Sequence, residues 1–205
     1  MKRLLFVLLT VSPFLLFNCS NNDDDNNQDE GFDGSIEDIR DFYNDDLVDA
    51  LEDLGFNLNT GNNPPNIEGV YFVSPLLLEA SSVTGDIVGM PFNDYTITFS
   101  NQNNSALTID YFGDQGNQID QGSGSFISGD DDNFTVLLIT TSTDESNNTT
   151  ADSAISISGV LTDGGIENIQ MAFMMLDNKG NPNGEWIPNN TGRIAYDSDF
   201  NSPKQ

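Results

Sequence analysis

Apolar side chains recur at spacings of three and four over residues 36–54, and from residue 67 onward the period changes to two. The first pattern, Ile36, Ile39, Phe42, Tyr43, Leu47, Val48, Leu51 and Leu54, predicts one amphipathic helix of roughly 28 Å. Ser35 with Asp38 resembles a capping box, and Gly55 supplies a C-terminal stop. The second pattern predicts strands. Alternation is clean in Tyr95, Ile97 and Phe99 against Thr96 and Thr98, in Leu107, Ile109 and Tyr111, and in Ile155, Ile157 and Leu161 opposite Ser156 and Ser158, as expected where one face is covered and the other solvated. Two segments break it. Val136 to Ile139 is apolar on both faces, and Met171, Phe173 and Met175 have Ala172, Met174 and Leu176 behind them. The helix is the only spare apolar surface, so it is expected across the outside or one mouth of the β structure.

About eight strands are expected, at 67–73, 86–90, 94–100, 105–112, 118–128, 133–142, 153–162 and 165–176, with a further one inside 185–197. Turn residues separate them at Asn101–Asn104, Gly113–Gly116, Gly129–Asp132, Asp144–Ala151, Asp163–Gly165 and Asn178–Gly184. Short connections make neighbours pair antiparallel in up-and-down order, and closure into a barrel, which removes unpaired edges, is favoured over a β-sandwich. The expected fold is therefore mainly β: an up-and-down antiparallel barrel over 67–199. A helix and a Pro-rich connection through Gly61, Pro64 and Pro65 occupy 35–66, and 200–205 is expected to be a disordered tail.

The N-terminus reads as an address. Lys2 and Arg3 precede an apolar run, Leu4 to Phe17, that is short for a bilayer span and ends beside Cys19, the only cysteine. Leu16-Phe17-Asn18-Cys19 is similar to a lipobox, so 1–18 is expected to be a lipoprotein signal peptide and Cys19 the lipidated first residue. An ordinary secretory signal leaving a free thiol and an uncleaved anchor are the competing readings. Triacylation at Cys19 would exceed the two chains needed for stable membrane attachment. Residues 19–34, acidic and rich in Asn, form the expected disordered tether.

Charge narrows the partners. Removing 1–18 takes away two of the six basic residues and none of the 33 acidic ones, so the formal charge of −27 becomes −29. Nucleic acid and anionic headgroups are repelled by such a field. The chain has no histidine, which excludes His-dependent nucleophile systems and the common zinc, copper and iron ligand sets. Only carboxylate chemistry remains for an enzyme, with Glu167 or Glu185 and a loop Asp as a glycosidase-like pair, and no catalytic assignment is made. Calcium is the metal such a surface would attract. Neither Asp130-Asp131-Asp132-Asn133 nor Asp177–Glu185 matches a calcium loop, the latter having Lys179 third and Pro182 sixth, so neither metal nor cofactor is expected.

The lipobox, the acidic run Asp23–Asp25, Leu54-Gly55, the stretch Gly61 to Tyr71 and the closing Gly192-Arg193-Ile194 with Asp197 and Asp199 together resemble a group of Bacteroidota surface lipoproteins of unassigned activity with a lipocalin-like barrel. The resemblance implies that fold and an outer-membrane position facing the cell exterior, with the periplasmic face as the alternative. Ser20 after the cysteine and the acidic run are the residues that imply it. Asp152-Ser153-Ala154 resembles a three-residue O-glycosylation signal of such exported proteins, at Ser153. The expected function is non-enzymatic binding of a small apolar molecule or glycan, with Tyr95, Phe99, Tyr111, Met171 and Trp186 as contacts. The alternative is a structural or adhesive module with a solid core that contacts another envelope protein.

Overall fold

The computed structural model describes residues 32–205, so the expected signal peptide, Cys19 and most of the expected tether lie outside the described residues. Where one helix was expected there are two, α1 (Ile36–Tyr43) and α2 (Asp45–Asp53). Asn44, at φ 79°, ends the first and starts the second: its N–H donates to Arg40 O at 2.7 Å, and its side-chain oxygen accepts from Leu47 N–H at 3.1 Å. The apolar spacing runs on through this break, so period alone does not reveal it. A cap residue followed by Asp45 and Asp46 does mark a helix start.

The β part is a ten-stranded sheet: β1 (Gly69–Val73), β2 (Leu76–Ser81), β3 (Tyr95–Asn103), β4 (Thr108–Asp114), β5 (Gln118–Asp130), β6 (Asn133–Asp144), β7 (Thr149–Thr162), β8 (Gly165–Asp177), β9 (Gly192–Asp197) and β10 (Asn201–Pro203). All ladders are antiparallel, in the order β1-β3-β4-β5-β6-β7-β8-β9-β2, with β10 on β8. The closed lipocalin-like barrel of about eight strands is therefore corrected to an open, curled sheet, a half-barrel of nine strands in one path whose edges are β1 and β2. A β-sandwich is excluded, since all strands belong to one sheet.

The edges, whose exposure argued for closure, are covered another way. The loop after β2 runs back along its free side, with Gly89 N–H on Leu78 O at 2.8 Å and Phe92 N–H on Leu76 O at 2.9 Å. This loop includes 86–90, expected as a strand, and the strand actually formed is Leu76–Ser81, whose Leu-Leu-Leu start shows no alternation. On the other edge Gln205 N–H reaches Val70 O at 2.9 Å, and Tyr71 bridges Lys204. The expected disordered tail thus contains β10, with Ser202 fully buried. Asp197, 1% exposed, ties the region together by accepting from Ser74 N–H at 3.2 Å and Ser202 Oγ–H at 2.7 Å.

Curvature separates two faces. Tyr95 of β3 and Phe173 of β8 lie five places apart in the sheet, yet their rings are 5.9 Å apart, so they face each other across the concave side. The helices cover the convex side, where Ile39, Tyr43, Val48 and Leu51 join the same core and Phe42 stacks on Phe126 at 6.0 Å. This accounts for strands apolar on both faces. Tyr43 fixes the docking: its hydroxyl accepts from Leu138 N–H at 2.8 Å and lies 2.8 Å from Ile155 O and 3.0 Å from Leu138 O, bridging β6 and β7.

Replacing Tyr43 with Phe keeps the ring but leaves the buried Leu138 N–H and Ile155 C=O without that hydroxyl. The expected loss is about 1–3 kcal/mol in denaturant-unfolding stability. An unchanged midpoint would show that the bridge contributes nothing.

Candidate functional site

Side chains of one parity change character along the concave face. In β6 the series Phe134, Val136, Leu138 gives way to Thr140 and Ser142, and in β7 Ile157 and Ile155 give way to Ser153, all buried. The apolar part is filled. Tyr95 and Met171 are fully buried, Phe99 is 2% and Tyr111 8% exposed, and Phe99 packs 6.0 Å from Tyr111 and 6.3 Å from Tyr71. Four of the five expected ligand contacts are thus core residues packed into one cluster. The fifth, Trp186, stands apart with Ala151, Met175 and Ile187 at the polar end.

That end holds a cleft of about 110 Å³. Its apolar wall includes Phe92, Phe173, Met175, Trp186 and Ile187. The polar lining includes Gln115, Gln118, Ser142, Ser153, Glu185 and Arg193. Ser153, the expected glycosylation residue, is 5% exposed and lines the cleft, and its hydroxyl accepts from Ser142 Oγ–H at 3.4 Å. Trp186 is held by Asn181, whose Nδ2 donates to Trp186 O at 2.7 Å and whose Oδ1 accepts from Trp186 N–H at 3.0 Å. Arg193 makes a two-point ion pair with Asp86, at 2.7 and 2.9 Å, and lies 5.8 Å over the Phe92 ring. Its guanidinium holds the Asp86 carboxyl below the usual carboxylate range.

Against the cleft floor lies a buried polar group. Tyr95 Oη–H donates to Asp120 Oδ2 at 2.5 Å, the Tyr95 and Tyr111 hydroxyls are 2.6 Å apart, and Gln118 Nε2 donates to Asp120 at 3.1 Å. Burial pushes the Asp120 carboxyl up, opposed by hydrogen bonds from Ser142, Tyr95 and Gln118. Gly113 makes the arrangement fit, since a Cβ there would collide with both the Tyr95 and the Tyr111 hydroxyl. Expected in a turn, Gly113 is instead a β4 residue opposite Asp120. Asp120 and Gln118 were missed because a single carboxylate among many carries no signal. The switch from apolar to hydroxyl side chains at one parity of β6 and β7 is a pattern that points to this end.

Two further polar atoms, Glu185 Oε1 and Trp186 Nε1, are buried with no hydrogen-bond partner among the described residues. An unpaired buried donor or acceptor costs about 1–3 kcal/mol, and the side chains that carry these two atoms both line the cleft. Among the described residues no cluster of three or more acidic or cysteine side chains is arranged to hold a metal ion. Comparison with protein families, characterised proteins and solved structures finds no match.

Because the folded Asp120 carboxyl titrates above its unfolded value, its contribution to stability is fully present below the unfolded value and is lost as pH rises through the folded one. Asp120→Asn removes this loss. The stability of the variant relative to the native chain should rise from about pH 4 towards neutrality, measured by urea unfolding across pH; a constant difference would contradict the burial argument.

Proposed function

We propose that this chain is a non-enzymatic outer-membrane lipoprotein, anchored through Cys19 and displayed at the cell exterior, that binds a small molecule or glycan at the mouth of its curled sheet. The observation that carries the binding reading is the cleft itself: aromatic side chains, Gln and Ser, with Glu185 and the Asp86-paired Arg193, around about 110 Å³ beside the packed core. Drug-sized ligands occupy sites of about 300–1,000 Å³, so the occupant is a single ring or the end of a longer chain rather than a bulky apolar cargo. The anchor reading rests on the sequence of residues 1–25. Among the described residues no helix is long and apolar enough to cross a membrane.

A second reading, contact with another envelope protein, is favoured by Ile87 and Val88. These are 73% and 70% exposed at the tip of the loop that covers β2.

Both parts are tested on the full chain and a Cys19→Ser variant expressed in a Gram-negative host. The native chain should partition with the membrane and the variant should be released. Gently extracted protein should weigh more by native mass spectrometry than after denaturation, by the mass of one small ligand. A variant that stays with the membrane contradicts the anchor, and equal masses turn the assignment towards envelope contact.

A further inference from the structure

The cleft's unmatched atoms differ in kind: Glu185 Oε1 can only accept a hydrogen bond while ionised, and Trp186 Nε1 can only donate one. Both side chains line the cleft, so a group seated there is placed to answer them. Resting on the cleft as a binding site, we infer that its ligand is a neutral, hydroxyl-bearing ring: a saccharide residue entering end-on.

Charge and hydrogen-bond valence both lead there. Among the described residues the only basic side chain lining the cleft, Arg193, is committed to Asp86 through two hydrogen bonds and to Phe92 through its face, leaving no free cation for an acidic ligand. Glu185 and the strongly negative chain repel an acid further. An ammonium group would satisfy Glu185 but has no lone pair for the Trp186 N–H. Hydroxyl groups both donate and accept, so a hydroxyl-bearing ring carries the valence that both atoms lack. Gln118, Ser142 and Ser153 extend the same two-way chemistry, and Phe92, Phe173 and Trp186 offer apolar surface to the C–H faces of a ring. Thr149 Oγ1 donates to Glu185 Oε2 at 3.4 Å, leaving Oε1 as the carboxylate oxygen for the ligand.

Trp186 is the only tryptophan in the chain, so its fluorescence reports this site alone. The full chain is titrated with the methyl glycosides of glucose, galactose and mannose, and separately with glucuronate, glucosamine and benzene. At least one neutral glycoside should shift the emission saturably, with glucuronate and glucosamine about tenfold weaker or more. In Glu185→Gln, which keeps the fluorophore and removes the charge, the discrimination against glucuronate should shrink. Binding of glucuronate or glucosamine as strong as that of the glycosides overturns the inference, as does discrimination unchanged in Glu185→Gln. A response to benzene alone overturns the saccharide assignment while leaving the cleft a binding site. Silence to all six probes overturns both.

Discussion

A single short segment serves both ends of the sheet. Residues 69–73 pair with β3, residues 76–81 pair with β9, and only Ser74 and Pro75 separate them. The first and last ladders of the path must therefore lie within a two-residue corner of each other, which a flat sheet of this width cannot arrange. Curling follows, and with it the concave face on which Tyr95 meets Phe173. Asp197 secures the corner from the far side by holding Ser74 and Ser202 together.

A curled sheet has an inside to fill and an outside to cover, and the two are met by different means. The inside is packed with Tyr71, Phe99, Phe134 and Met171 until hydroxyl side chains replace apolar ones near one mouth. The outside of β6–β8 is covered by two short helices, neither long enough to be stable alone. Their stability comes from burying Ile39, Val48 and Leu51 and from the Tyr43 hydroxyl between two strands. At that mouth Ser142, Ser153 and Trp186 border the cleft beside the packed cluster.

Much of the β architecture was legible because period-two alternation survives wherever one face is covered, as in Tyr95–Ile97–Phe99. The two-sided strands also pointed to a covering helix. What failed was information carried by backbone hydrogen bonds rather than side-chain pattern. Leu76–Leu78 hides its strand in an unbroken apolar run, Asn44 divides a helix without disturbing its stripe, and Ser202 is buried in a segment that looks like a tail. Edge protection was anticipated as a need, but the solution is a loop on β2 and the C-terminal residues Lys204 and Gln205 on β1. Trp186 follows a turn and lines the cleft, whereas Tyr95, Phe99, Tyr111 and Met171 lie in the core cluster, because alternation gives the face of a residue and not its depth. Gly113 was read as turn punctuation when it makes room for two hydroxyls.

The central claim is that the core around Met171 is packed and that the proposed ligand meets the chain at the mouth beside Trp186. Met171 and Met175 share the concave face of β8, about 13 Å apart along the strand, the first in the core and the second beside Trp186. Methyl-labelled methionine NMR spectra recorded with and without a neutral methyl glycoside read both depths at once. The account predicts that the Met175 methyl moves and the Met171 methyl does not. Movement of Met171 to the same extent, or of neither, would contradict it.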